Sequence, residues 1–172
     1  GYGAEVPKLR PHQLSDDHTG TSAVVRYELE QLIQQGNNIS YCCCIYATTP
    51  LLTAPYLQQA WQQLQHNQNL NYVFSAARFS FPIQRALVQS KNGVAPFDPL
   101  SIGKRSQDLI PTFHDAGQFY FGRASAWLNQ LPVFADNSQM LLLPDHLVQD
   151  IDTPDDWRRA ELLYQLLQQE QA

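Results

Sequence analysis

The sequence of 172 residues has few basic residues and no long apolar run. Lysine and arginine together number 11 against 16 aspartates and glutamates, which gives a formal net charge of −5 at pH 7. The basic residues are scattered, so the positive patch that duplex nucleic acid requires is missing. No apolar stretch approaches the roughly 20 residues that cross a bilayer, and the first residues lack the basic-then-apolar pattern of a secretory signal. We therefore expect a soluble, cytoplasmic protein with neither nucleic acid nor membrane as a partner.

Cysteine is also scarce, and its three copies are consecutive, at positions 42 to 44. Neighbouring side chains of a strand point to opposite faces, so these thiols cannot form ordinary disulfides with one another. Their spacing does not match a zinc site either. We interpret them as small buried strand residues in a reducing compartment.

The pattern of apolar residues predicts one α/β domain, and 44% of the chain is hydrophobic. Helical spacing predicts a helix over 21–35, with Thr21 as its N-cap and Gly36 just beyond its end. The apolar run 39–46 has no polar alternation and predicts a central parallel strand that is covered on both faces. A helix and a strand over 72–77 follow, which completes a parallel crossover unit.

The second half of the chain begins with a different composition. Residues 79–112 are rich in proline, glycine, serine and charge, and we expect them to form a long excursion that binds substrate or a second subunit. Beyond it the pattern predicts a strand over 117–121, a short helix over 123–128, a strand over 139–144 and a final helix. The sequence thus predicts a sheet with helices on both faces.

Two aspartates, Asp150 and Asp152, are predicted to end a strand just before the final helix. In an extended segment they project to the same side, with about 6 to 7 Å between their α carbons, so both can reach one ion or its waters. Mg²⁺ prefers oxygen ligands and is usually held by one or two carboxylates together with substrate phosphates. The pair predicts a divalent-metal site, with an ordinary acidic strand end as the alternative.

The residues that follow this pair have a different predicted role. Thr153 stands where an N-cap belongs and Pro154 at the first helical position. Asp156 can complete a capping box and complement the helix dipole. We interpret Asp155 and Asp156 as structural.

Two further polar segments are candidates for binding. The turn 15–21 leads into the first helix, where backbone amides, hydroxyls and a glycine can cradle polar ligand groups; a simple capping loop is the alternative. The segment His114–Tyr120 places histidine, aspartate, glutamine and tyrosine within one turn and strand. Because serine or cysteine nucleophile contexts are missing, we interpret it as a substrate-binding loop and not as part of a catalytic triad.

These segments, taken in order, resemble the acylneuraminate cytidylyltransferase family, which activates nine-carbon acidic sugars as CMP derivatives. The matching stretches are GAEVPKLRPHQLSDDHTGT, YATTPLL, HDAGQFYFG and DIDTPDDW. HDAGQFY and DDHTGT are closest to the branch that uses pseudaminic acid. The resemblance implies a Rossmann-like α/β nucleotidyltransferase fold, a homodimer formed through the excursion, and Mg²⁺ as cofactor. It also implies that CTP and a nonulosonic acid are converted to a CMP-sugar and pyrophosphate.

The resemblance assigns roles to residues as well. It implies that the cytidine lies against Arg10, Thr19 and Thr21. It implies that Mg²⁺ is bound by Asp150 and Asp152. It implies that the sugar is bordered by Tyr46, Arg105, Gln107, His114, Gln118 and Tyr120. Arginine pairs with carboxylate through two parallel hydrogen bonds, so Arg105 is the expected partner of the sugar's carboxylate, with a solvated loop charge as the alternative.

The sequence departs from the family in two places. Tyr46–Leu52 stands where the neuraminate branch carries Gln-Pro-Thr-Ser-Pro-Leu-Arg, so we expect a less hydroxylated sugar. Nothing in the chain matches the family's opening strands and their basic, glycine-rich phosphate loop, so we expect those strands to be missing and this chain alone not to bind CTP productively. Two other hypotheses stay open: a non-catalytic sugar-binding or dimerisation module, and a different nucleotide-sugar enzyme with a D-x-D metal site.

Overall fold

The computed structural model describes residues 3–5, 8–16 and 18–170. In chain order, its helices and strands are α1 (Thr21–Gln34), β1 (Tyr41–Ile45), α2 (Ala54–His66), β2 (Tyr72–Arg78), β3 (Leu87–Ser90), β4 (Gly93–Pro96), β5 (Phe113–Arg123), α3 (Ala124–Leu128), β6 (Ser138–Leu142) and α4 (Pro154–Glu170). Within these ranges, the helices are all too short or too polar to span a membrane.

Within the described residues, four strands form the main sheet in the order β1-β5-β2-β6. Strand β5 runs antiparallel to both β1 and β2, whereas β2 and β6 are parallel. The prediction that 39–46 forms a central parallel strand is therefore wrong: β1 is antiparallel to its neighbour, and in the described part of the chain it lies at the edge of the sheet. An apolar run reports that both faces of a strand are covered, but it carries no information about which strand pairs with it.

Both faces of the sheet are covered by helices, as the sequence predicts. On one face Leu64 of α2 packs with Val73 and Phe119. On the other face Leu29 of α1 packs with Trp127 of α3. All five side chains are at most 2% exposed, so the two clusters bury the apolar surface that stabilises the fold.

The three cysteines of β1 divide between these two faces. Cys43 packs against the α2 side, whereas Cys42 and Cys44 pack against the α1 side. All three thiols are free. Burial raises the pKa of Cys42 to about 11 and that of Cys43 to about 12. The thiols therefore stay protonated and act as small packing groups, as the sequence indicates.

The ends of α1 agree only in part with the sequence-based prediction. Gly36 has φ +92°. Its N–H donates to the carbonyl of Ile33 at 2.9 Å, and the N–H of Asn37 donates to the carbonyl of Leu32 at 3.2 Å. This Schellman arrangement confirms the predicted glycine stop. Thr21 is not the N-cap, since that position belongs to Gly20.

The start of α4 is a capping box, as predicted. The N–H of Asp156 donates to Thr153 Oγ1 at 3.2 Å, and the N–H of Thr153 donates to Asp156 Oδ2 at 2.9 Å. The pKa of Asp156 lies below its usual range, chiefly because the Thr153 hydroxyl donates to the carboxylate. Asp156 therefore stabilises the helix start through its charged form.

Residues 79–112 connect β2 to β5 and contain a separate two-stranded sheet, in which β3 and β4 form an antiparallel hairpin. Apolar side chains of this segment face outward: Leu87 is 64% exposed, Val94 66% and Leu100 86%. Such an apolar surface is typical of a segment that contacts another chain.

Gly122 of β5 is required by packing alone. A Cβ at this position would lie 2.5 Å from Trp127 Nε1 and 2.6 Å from the ring of Tyr72. We predict that Gly122→Ala lowers the free energy of unfolding by about 1–3 kcal/mol, because both rings are buried and cannot move away without strain. Gly103→Ala, where a Cβ meets nothing within 4 Å, is the matched control. Equal denaturation midpoints for the two variants would contradict this explanation.

Candidate active site

The site is built around a bulge in β5. Phe74 of β2 pairs with Tyr120, but two residues later Ala76 pairs with Asp115, so β5 carries extra residues opposite Ser75. The fully buried Ser75 hydroxyl accepts hydrogen bonds from the N–H groups of the bulged residues 118 and 119 at 3.1 and 3.0 Å. It also lies 3.3 Å from the carbonyl oxygen of residue 119, to which it donates. One buried side chain thus satisfies the backbone groups that the bulge leaves without a strand partner.

The bulge begins with a tight turn that Asp115 stabilises. The N–H of Gly117 donates to Asp115 Oδ1 at 3.0 Å, and Gly117 has φ +61°, a left-handed conformation that favours glycine. The hydroxyl of Tyr120 donates to Asp115 Oδ2. A Cβ on Gly117 would lie 3.6 Å from Asp150 Oδ2, so the turn directly faces the predicted metal-binding segment.

A cleft of about 590 Å³ lies between the bulge and the start of α4. Its lining includes four aspartates, at positions 115, 150, 152 and 156, and one arginine, Arg159. Tyr46, His114 and Tyr120 also line it. This excess of negative charge repels phosphate and carboxylate groups unless a cation lies between them.

Asp150 is oriented by its surroundings. Thr48 donates its hydroxyl to Asp150 Oδ1 at 2.9 Å, and the N–H of Ile151 donates to the same oxygen at 3.0 Å. The segment follows a 3₁₀ turn over Asp145–Leu147. The predicted strand end is therefore wrong, because this turn separates the aspartates from β6.

The donor set of Asp150 and Asp152 fits Mg²⁺. Both carboxylates line the same cleft. Residues 3–5, 8–16 and 18–170 contain no group of three or more histidine, cysteine, aspartate or glutamate side chains that could hold a metal. A pair of carboxylates without a third such ligand does not suit zinc. Mg²⁺, by contrast, commonly takes one or two carboxylates and completes its shell with water and substrate phosphates.

Tyr46 and Tyr120 form the aromatic wall of the cleft. Their ring centroids are 5.5 Å apart, and the Tyr46 hydroxyl lies 2.7 Å from Thr21 Oγ1. The pKa of Tyr120 lies far above its usual range, first because the ring is buried and then because its hydroxyl donates to Asp115. Tyr120 therefore stays neutral, and Thr21 is joined to the cleft through Tyr46.

His114 stands at the rim of the cleft with its ring exposed. Its Nδ1 lies 2.8 Å from the carbonyl oxygen of Asp115, so this nitrogen carries the proton in that hydrogen bond. The ring also packs on Phe79, at a centroid distance of 5.0 Å. Nε2 is consequently the ring nitrogen available to a ligand.

The loop before α1 is closed by its own hydrogen bonds. Asp16 Oδ1 accepts the N–H groups of His18 at 2.8 Å and Thr19 at 2.7 Å. The pKa of Asp16 is lowered, chiefly by the N–H of His18. These bonds favour the simple capping loop over the ligand cradle. Arg10 is exposed and does not line the cleft, and Asp17 lies outside the described residues.

Three of the expected sugar-site residues do not line the cleft. Arg105 is exposed in the excursion and pairs with Asp108 at 3.0 Å, and Gln107 belongs to the 3₁₀ turn over Ser106–Asp108. Gln118 is completely buried, with Nε2 donating to the carbonyl of Leu147 at 2.5 Å. It lies in the bulge of β5, where the regular alternation is broken and its side chain faces the protein interior.

Several residues that shape the cleft are not indicated as such by the sequence. The sequence predicts Asp115 only as part of a substrate-binding loop, and no local pattern marks Thr48 or Arg159. Ser75 does carry a local signal, since it is the only aliphatic hydroxyl in the strand core 72–77. A buried serine hydroxyl needs hydrogen-bond partners, and in this strand the irregular backbone of β5 provides them.

Several known proteins are similar to this chain in sequence. No protein-family model matches it. It is 42% identical over 166 residues to pseudaminic acid cytidylyltransferase of Campylobacter jejuni serotype O:2, covering 96% of this chain and 71% of that protein. A Helicobacter pylori protein named pseudaminic acid cytidylyltransferase and UDP-2,4-diacetamido-2,4,6-trideoxy-beta-L-altropyranose hydrolase is 38% identical over 150 residues, 87% of this chain and 28% of that protein. N-acylneuraminate cytidylyltransferase B of Danio rerio is 25% identical over 162 residues, 93% of this chain and 37% of that protein.

The fold is also similar to a solved structure, CMP:2-keto-3-deoxy-manno-octonic acid synthetase complexed with CTP. The TM-score is 0.55 at 12% sequence identity, covering 89% of this chain and 70% of that one. At this identity the likeness concerns the fold alone, and it confirms the expected α/β architecture. The identity to the Campylobacter protein, extended over nearly the whole chain, shows the family: this chain belongs to the pseudaminic acid cytidylyltransferases.

Proposed function

We propose that the full-length protein transfers the CMP group of CTP to pseudaminic acid or a closely related nonulosonic acid. The 42% identity to proteins so named, over 96% of the chain, carries this proposal. In the reaction the anomeric oxygen of the sugar forms a bond to the α-phosphorus. The bond from that phosphorus to the β-phosphate oxygen breaks, pyrophosphate leaves, and the hydroxyl proton is released.

The charge of the cleft supports a metal-dependent reaction. CTP and the sugar are both anions, and the cleft contains four aspartates against one arginine. We propose that Asp150 and Asp152 hold Mg²⁺, which when bound would neutralise phosphate charge and polarise the phosphoryl group. Thr48 orients Asp150 for this role. Arg159 also lines the cleft, and its guanidinium supplies positive charge there.

The wall and rim of the cleft are our candidates for the sugar and cytidine contacts. Tyr46, Tyr120 and His114 offer ring surfaces and hydrogen-bonding groups at the sugar. Thr21 lies beside Tyr46, which supports its assignment to the nucleotide side of the same cleft. The matching roles of Arg10 and Thr19 stay predictions.

We propose a homodimer that forms through residues 79–112, because that segment exposes Leu87, Val94 and Leu100. Arg105 and Gln107 belong to the same segment and do not line their own cleft. They stay candidates for binding the sugar's carboxylate only in such an assembly.

We also propose that the enzyme works in the cytoplasm, since its three thiols are free, as is usual in a reducing compartment.

Release of pyrophosphate by the full-length protein tests the proposed function. We predict release that requires CTP and is faster with pseudaminate than with neuraminate, with only background release when no sugar is added. A folded protein that releases no pyrophosphate would support the non-catalytic module instead. Consumption of a nucleotide-sugar donor that requires an added acceptor glycan would support the D-x-D transferase instead.

Asp152→Asn tests the metal assignment separately. Metal stabilisation of transition-state charge amounts to several kcal/mol, so we predict that this variant loses about 100-fold or more of Mg²⁺-dependent turnover and keeps the wild-type melting temperature. Asp155→Asn is the matched control, because Asp155 is exposed nearby on α4 and does not line the cleft. Wild-type turnover in Asp152→Asn would sink the assignment.

A further inference from the structure

Gln118 is a buried amide with a defined orientation. Its side chain lies in the bulge of β5 and is 0% exposed. Nε2 donates to the carbonyl oxygen of Leu147 at 2.5 Å. Because a carbonyl oxygen only accepts hydrogen bonds, the nitrogen of the amide must face Leu147 and the oxygen must point away from it.

The backbone of the same residue joins two strands. The N–H of Gln118 donates to Ser75 Oγ at 3.1 Å, and its carbonyl accepts the N–H of Tyr46 at 3.0 Å. Gln118 thus connects β2, the end of β1 and the turn over Asp145–Leu147. Its side-chain amide joins the bulge to Leu147, the residue just before the segment Val148–Asp152.

Stability does not explain an amide at this position. Gln118 Oε1 is buried and has no hydrogen-bond partner in the described part of the chain. An unpaired buried oxygen destabilises the folded state, whereas an apolar side chain of similar length would fill the space without that cost. The hydrogen bond to Leu147 is therefore the feature that distinguishes glutamine from methionine here.

The segment beyond Leu147 is held at several points. Thr48 holds the carboxylate of Asp150. Gln149, which is 8% exposed, donates to the carbonyl of Asp150 at 2.7 Å and to Asp156 Oδ1 at 3.3 Å. The side-chain amide of Gln118 holds the beginning of this segment at Leu147. Without that hydrogen bond, the segment would lose a contact that brings Asp150 to the cleft.

We infer that Gln118 is a positioning residue for the metal-binding carboxylates: its amide holds the Leu147 carbonyl and so sets where Asp150 and Asp152 enter the cleft. This role differs from the predicted sugar contact, since Gln118 is buried and does not line the cleft. The inference rests on the proposed function for its metal site. Mutating a residue that orients metal ligands without binding the metal itself typically lowers metal affinity about 10- to 100-fold.

Gln118→Met in the full-length protein tests the inference, with Mn²⁺ as a spectroscopic substitute for Mg²⁺. We expect the Mn²⁺ dissociation constant, measured by electron paramagnetic resonance, to rise about 10-fold or more. We expect the melting temperature to stay equal or to rise, because the unpaired oxygen is removed. A merely structural glutamine would produce the opposite pattern, a lower melting temperature with unchanged Mn²⁺ affinity.

Phe119→Leu is the matched control, since Phe119 is an equally buried neighbour in β5 whose side chain packs in the apolar cluster of the α2 face. It should lower the melting temperature and leave Mn²⁺ affinity unchanged. If Gln118→Met does not fold, Gln118→Leu takes its place with the same expected rise, because an apolar side chain of similar bulk removes the donor to Leu147.

Unchanged Mn²⁺ affinity in a folded Gln118 variant overturns the inference, and so does a wild-type protein that binds no Mn²⁺. Measuring pyrophosphate release by the wild-type protein shows whether only the inference about Gln118 fails or the proposed function fails as well. A wild-type enzyme active with CTP, alongside a variant of unchanged Mn²⁺ affinity, leaves the proposed function in place and removes only the role of Gln118.

Discussion

The hydroxyl group of Ser75 is the interaction on which the candidate site depends. It accepts two backbone N–H groups of β5 and donates to a carbonyl of the same strand, all inside the protein. Without it, the two amides would be buried and unpaired, at about 1–3 kcal/mol each. With it, β5 can leave its regular register and form the turn of Asp115 and Gly117. The turn then faces Asp150, and the cleft exists because the strand is irregular there.

The electrostatics of the cleft follow from this geometry. The bulge brings Asp115 to a wall that already contains Asp150 and Asp152. Asp115 accepts hydrogen bonds from Gly117 and Tyr120, so its charge is partly satisfied within the protein. Asp150 uses one oxygen for Thr48, and Asp152 is exposed. Asp150 and Asp152 therefore retain free oxygen atoms, as the proposed metal site requires.

The sequence predicted what depends on local patterns. Helix α1 and its glycine stop, strand β2 and the capping box of Thr153 and Asp156 all follow from residues close to one another in the chain. The order of the strands did not follow, because β5 enters between β1 and β2 from a distant part of the chain and leaves no mark on either strand. The role of Gln118 was missed for a related reason: a bulge changes which side chains of a strand face inward, and the HDAGQF segment does not reveal the register.

The resemblance to known enzymes supplied the chemistry that geometry alone does not contain. Two aspartates two residues apart occur in many acidic segments, and the structure adds that both line one cleft and that Thr48 orients Asp150. The most direct test is a crystal structure of the full-length protein soaked with Mn²⁺ and CTP. The account predicts an anomalous peak within coordination distance, about 2.0–2.2 Å, of both Asp150 and Asp152 carboxylates. A peak held by other residues, with these two carboxylates unliganded, would contradict it.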